Sequence, residues 1–309
     1  MSRARILPAP LSGMQEAKRP TGAIVATIIV VAASYGSLMI AGITYSSITG
    51  SMEMPWWMSI VAFGGIAVLI GLWVRFKEGR RFRSLGFEEP RRAPRQILWG
   101  IAGGLLLATL AMLTLVLLGQ GSIRWNADAL TPADWLMALV WIAVYAVQSS
   151  SEEIAVRGFA AQAYARRFGI VAAIALQAVL FAALHAGNDG FGVLPIVNML
   201  LLSVALGLWV LKNGSLWAAC AFHSTWNWAL SRLFGTTMSG HESSHGIFVV
   251  TPSADGPAPI TGGTFGIEGS LITAVLLAAM IAVLAGPAIR RVSAARAATA
   301  PARTLDAVR

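Results

Sequence analysis

Five ionisable residues sit in stretches otherwise too apolar to hold them: Glu152, Glu153, Arg157, His185 and His223. Polar Gln148, Gln177, Asn198 and Asn227 accompany them. In a membrane span such a group costs roughly 2.5–3.5 kcal/mol on the insertion scale, so it marks a functional site by default. Carboxylates beside imidazoles are suited to moving protons and activating water. Glu153 and Arg157 are four residues apart with the acid first, the order that favours a helical ion pair. Glu152 then points about 100° away and stays available. Phe181 and His185 are four apart, which sets an aromatic ring beside an imidazole. His223 and Asn227 share a helix face in the same way. Imidazole and amide donors can hold a developing oxyanion, a contribution of about 3–4 kcal/mol per donor. Glu152, His185 and His223 are also an acceptable zinc set with one position left for water. HxxxN is compatible with either chemistry, since Asn is a poor zinc ligand and a good oxyanion donor. The residues alone leave zinc and metal-free water activation both open.

One further motif invites a metal. His241-Glu242-Ser243-Ser244-His245 matches the HExxH zincin pattern. That pattern works only on a helix, where both His share a face. Gly240 and Gly246 bracket it and no apolar periodicity surrounds it. It reads as a solvated loop, with Glu268 as the third ligand it would need.

The elements that must position these residues are membrane helices. The 309-residue chain is 56% hydrophobic and 12% charged, against about 25% charged in soluble proteins. Apolar runs of about 20 residues occur at 21–45, 56–75, 96–119, 134–150 with a helical continuation to about 167, 170–187, 191–211, 214–233 and 268–289. The expected fold is all-α: a polytopic bundle of about eight transmembrane helices over 21–289, with tails at 1–20 and 290–309 on the cytoplasmic side. Every Lys and Arg except Arg124 and Arg232 then lies on one side, as the positive-inside rule requires. The net charge of +9 therefore reflects topology rather than a nucleic-acid partner. The single Cys220 excludes an intrachain disulfide. The Gly-rich stretch Thr261–Gly266 precedes no strand–helix unit, so it reads as turns rather than a phosphate loop.

The fourth and fifth spans form a hairpin turning near Phe168–Gly169. Glu152 and His185 each lie about 16 residues from that turn. This brings them to one depth, on the order of 25 Å from it. His223 lies roughly 15 Å past the Lys212–Gly214 turn.

These segments resemble a known family. Glu152-Glu153-Ile154-Ala155-Val156-Arg157 is similar to the EExxxR motif of CPBP intramembrane proteases, which include the type II CAAX prenyl endopeptidases. Phe181–His185 resembles their FxxxH motif and His223–Asn227 their HxxxN motif, in the same order. Gly214-Ser215-Leu216-Trp217 before the last motif is also typical. The resemblance covers about residues 134–233. It implies that Glu152 and His185 activate water and that His223 and Asn227 bind the scissile carbonyl or oxyanion. Glu153, Arg157 and Phe181 support them. It implies a cavity open to the cytoplasm, with a membrane-associated or lipidated protein or peptide as substrate and membrane lipids as surroundings. The expected location is the bacterial inner membrane. A proton-coupled transporter or a non-catalytic, immunity-type scaffold could carry similar groups. The HxxxN pairing and the absence of inverted repeats weigh against the transporter.

Overall fold

The computed structural model describes residues 7–126, 130–243 and 246–298. Its helices in chain order are α1 (Ala23–Thr49), α2 (Trp56–Leu72), α3 (Ala93–Leu117), α4 (Pro132–Glu153), α5 (Ala161–Phe168), α6 (Ile170–Leu184), α7 (Val193–Asn213), α8 (Trp217–Trp228), α9 (Ala258–Thr261) and α10 (Leu271–Ala298). Three of them run on as π turns: α2 through Trp73–Glu78, α4 through Ile154–Ala160 into α5, and α8 through Ala229–Leu233. Local chemistry starts and stops these elements. α4 opens on a capping box between Thr131 and Asp134 with Pro132 in its first turn, which satisfies orphan N–H groups. α7 stops at Gly214, whose φ of 72° suits only glycine without strain.

The chain is an all-α, polytopic membrane bundle. Among the described residues six helices are long and apolar enough to cross a bilayer: Ala23–Thr49, Trp56–Glu78, Pro90–Leu117, Pro132–Phe168, Val193–Asn213 and Leu271–Ala295. Their outer faces carry large exposed apolar side chains such as Ile24, Leu106, Leu136 and Val275, a surface that only lipid would cover well. The fifth and seventh expected spans are shorter. α6 has 15 residues, about 22 Å of helix against about 30 Å of hydrocarbon. α8 has 12 residues before its π turn. α8 is packed between α3 and α4 and need not match the bilayer's thickness, and α6 stops at His185 to make room for the site.

The bundle has a basic end, where Arg166 and Arg167, Lys212 and the Arg75–Arg95 connection lie. The expected tails are partly folded there. Residues Leu11–Glu16 form a 3-10 helix packed on α5 with Met14 fully buried, and Pro10 accepts a bond from Gln162 at 2.9 Å. α10 carries on to Ala298, through the first part of the expected C-terminal tail. At the other end, β1 (Gly121–Trp125) pairs antiparallel with β2 (Phe248–Pro252), Ile123 opposite Val250. This small sheet was not expected. It ties the α3–α4 connection to the long connection after α8, which is thus folded rather than simply solvated. Thr261–Gly266 forms turns as expected, with Gly262, Gly263 and Gly266 all at positive φ.

α3 and α8 make the closest helix contact near the site. A Cβ on Gly100 would stand 2.5 Å from the Ala218 carbonyl oxygen, and one on Gly104 would stand 2.8 Å from that of Phe222. Gly103 faces Trp209 instead. A helical Gly→Ala exchange normally stabilises by roughly 1 kcal/mol. Gly100→Ala should do the opposite, costing about 1–3 kcal/mol through overpacking, seen as a lower melting temperature in detergent. A raised one would show that the helices can part freely.

Candidate functional site

The site is assembled by α4 with its π turn, α6 and α8. Glu152 and Glu153 are the last two residues of α4, and the π turn that follows carries Arg157. A π turn inserts an extra residue into the helix and occurs mostly at functional positions. Glu153 is fully buried. Its Oε1 accepts from Arg157 Nη1 at 3.0 Å and lies 3.0 Å from His223 Nδ1. Arg157 Nη2 donates to Ser203 Oγ at 2.8 Å, and Ser203 donates to Gln177 Oε1 at 3.0 Å. Gln177 donates back to the Ser203 carbonyl at 2.9 Å. This chain of bonds joins α4, α6, α7 and α8 behind the site. Gln177 and Asn198 are thus interhelical links, Asn198 donating to the carbonyls of Glu268 and Ser270 at 2.7 Å each.

In front of that chain lies a cavity of about 160 Å³, walled by Gln148, Glu152, Phe181, His185, His223 and Asn227. Glu152 and His223 form its charged floor: Glu152 Oε2 is 3.9 Å from His223 Nε2. Among the described residues Glu152 Oε2 makes no hydrogen bond. His223 therefore stands between two carboxylates, Glu153 at Nδ1 and Glu152 at Nε2. The expected partner of Glu152 was His185. The structure brings both into one cavity but puts His223 nearer, because the ring of His223 is turned by its bond to Glu153. His185 caps the end of α6, and its Nδ1 is 2.8 Å from the Phe181 carbonyl oxygen. A carbonyl only accepts, so Nδ1 carries the proton and Nε2 is left as an acceptor. Asn227 donates to Ser149 Oγ at 3.4 Å, a long bond.

Phe181 is the packing hub. Its ring lies 4.6 Å from that of His185 and 5.8 Å from that of His223, with the Arg157 guanidinium 4.3 Å from its centroid. It separates the charged chain behind from the cavity in front.

Several cavity residues were not singled out from the sequence. Ser34 and Tyr35 come from α1, Asn188 from the turn after α6, and Ser239 from the connection after α8. Only Asn188 carried a signal, three residues past His185. His241 was noted for a different reason. It lines the cavity, although its zincin partner His245 lies outside the described residues. Glu268 is no ligand for it. Its carboxylate is buried and accepts from Trp226 Nε1 at 2.8 Å and Ser239 Oγ at 2.7 Å, pinning the connection over the site. Among the described residues no three His, Cys, Asp or Glu side chains are grouped to hold a metal ion. Glu152, His185 and His223, the zinc set expected from the sequence, line one cavity.

Asn188, Ser239 and His241 lie at the end of the bundle opposite the basic turns. The short α6 puts the cavity beside the far connections.

Residues 134–229 match the family model described as Type II CAAX prenyl endopeptidase Rce1-like. The match covers less than half of the chain. The match spans α4 to α8 and thus every side chain of the charged floor, while α1 to α3 and α10 lie outside it. Among curated proteins and among solved structures nothing matches the chain.

Arg157 supplies the only guanidinium bonded to Glu153 among the described residues. Removing one partner of a buried pair costs about 3–5 kcal/mol, because the other charge is stranded. Arg157→Ala should lower stability by that order, read by denaturant or thermal unfolding in detergent. Adding Glu153→Gln should recover part of the loss. Equal stability of Arg157→Ala and the native protein would show that the pair carries no structural load.

Proposed function

We propose that the protein is an intramembrane endopeptidase that hydrolyses a peptide bond in a membrane-associated or lipidated protein or peptide. The observation that carries this reading is the pairing of Glu152 with His223 on the floor of a cavity that also holds His185 and Asn227. The protease family of residues 134–229 supports it.

The reaction needs a nucleophile, an oxyanion partner and a proton for the leaving amine. Glu152 Oε2 has a free lone pair facing the cavity, so Glu152 is the general base. His185 Nε2 accepts the water's second hydrogen and fixes its orientation. As water attacks the scissile carbonyl, Glu152 takes one proton and the carbonyl oxygen becomes an oxyanion. His223 in its imidazolium form donates to that oxyanion through Nε2, with Glu153 balancing the charge at Nδ1. Asn227 donates from the same helix face. Collapse of the tetrahedral intermediate breaks the C–N bond, and Glu152 returns its proton to the leaving amine. Arg157 acts through Glu153 and is a positioning residue.

The protein is placed in this reading in the bacterial inner membrane with both termini cytoplasmic. Its supports are the six long apolar helices and the one-sided Lys and Arg distribution.

The test uses the purified protein in lipid vesicles with a library of membrane-anchored peptides, read by mass spectrometry. The native protein should release defined fragments. Glu152→Gln should slow release by about 10²-fold or more, the usual worth of a positioned base, with an unchanged melting temperature. His185→Ala should lose well over tenfold. Undiminished cleavage in both variants sinks the assignment.

The metal-free step of this proposal also predicts the response to chelation. Dialysis against a strong chelator should leave the rate within about twofold, because the base is a carboxylate and not a metal-bound hydroxide. A larger loss that zinc restores would overturn the metal-free step.

A further inference from the structure

We propose that a basic pocket at the foot of α3, α7 and α10 binds the phosphodiester headgroup of an anionic phospholipid. The pocket has a volume of about 630 Å³ and shares no lining residue with the cavity around Glu152. Four cations from three elements line it: Arg92 and Arg95 at the start of α3, Lys212 at the end of α7, and Arg291 on α10. Among the described residues no carboxylate lines it. Arg92 shares an exposed bond with Glu89 at 2.8 Å, and Arg291 donates to the Lys212 carbonyl at 3.4 Å. Among the described residues neither Arg95 nor Lys212 has a carboxylate within ion-pair distance. Four like charges around one concavity repel each other, and an anion in the middle removes that repulsion. The start of α3 adds the positive end of a 25-residue helix.

The surroundings select a lipid over a free phosphate. Trp99 and Trp209 line the same pocket, and Trp99 is 61% exposed. Indole rings in this position mark the level of lipid headgroups. Directly beside them the outer faces of α3 and α10 expose Leu98 and Ile289, which gives acyl chains an apolar path away from the cations. Basic pockets between helices at the basic end of a membrane protein are suited to anionic headgroups. The pocket also explains a packing detail. The Arg291 guanidinium lies so close to Gly214 that any Cβ there would meet its Nη2, so the glycine that ends α7 also lets this cation reach the pocket.

The experiment titrates full-length protein in neutral detergent with dioleoyl phosphatidylglycerol or dioleoyl phosphatidylcholine and counts bound lipid by native mass spectrometry. The native protein should favour the anionic lipid by about tenfold or more. The double variant Arg95→Gln/Lys212→Gln should lose that preference and melt as before, since both side chains are exposed. The control Arg166→Gln/Arg167→Gln, at another basic turn, should keep it. Equal binding of the two lipids by the native protein, or a preference unchanged in the Arg95→Gln/Lys212→Gln variant, overturns the site. Full displacement of the lipid by an equal concentration of sn-glycerol 3-phosphate would overturn the choice of lipid over a soluble phosphate.

Discussion

A carboxylate buried among apolar helices must be neutralised, and most of this site follows from how Glu153 meets that demand. It is fully buried and faces the Arg157 guanidinium on one side and the His223 imidazole on the other. Removal of such a charge from water costs several kcal/mol, which only close partners repay. One oxygen does this work. The other, Oε2, has no partner among the described residues, so the neutralisation is concentrated on the side that faces His223. Glu153 thereby fixes the ring plane of His223 and leaves its Nε2 facing Glu152.

The two adjacent acids therefore divide their tasks by direction. Successive helical residues point about 100° apart, so a pair at the end of α4 sends one carboxylate into the protein and the other into the cavity. The π turn after Glu153 changes the face that the next residues present, and it brings Arg157 against Glu153 and Ser203 together. Ser203 hands the network to Gln177, so α4, α6 and α7 are locked relative to α8. Phe181 rests against Arg157 and both histidines.

How much of this was legible depended on the range of the signal. The apolar runs and the charge distribution show the bundle, because a bilayer imposes length and sidedness on every span. The i,i+4 pairs Glu153–Arg157, Phe181–His185 and His223–Asn227 were readable because helical spacing is fixed. Equal depth along the hairpin brought Glu152 and His185 to one level, and they do share a cavity. Depth alone does not set azimuth, and azimuth decides which imidazole is nearer. The bond from Glu153 to His223 has no counterpart in spacing, since it joins residues 70 apart. The β1–β2 pairing was hidden for the same reason. His241 was visible as a residue but was attached to a motif that needs a helix, whereas its backbone pairs with Met238 in a tight bridge.

The short helices explain how a polar cavity can exist at this depth. Irregular backbone inside a bilayer is tolerated only where it is enclosed by protein or lines a watery cavity. α6 ends at His185 after about 22 Å, so the chain from His185 to Phe191 falls within thickness that a full-length helix would have spanned. Its polar groups are met locally: Asn188 N–H donates to the His185 carbonyl at 3.0 Å, and the Asn188 amide donates to the Ser239 carbonyl at 2.8 Å. Glu268 then holds Ser239 from the other side. The connection after α8 is thus drawn down onto the end of α6 rather than left above it. Extending α6 by two turns would satisfy the bilayer better and would fill space that His185 and Glu152 now line. The deficit in helix length is the physical origin of the cavity.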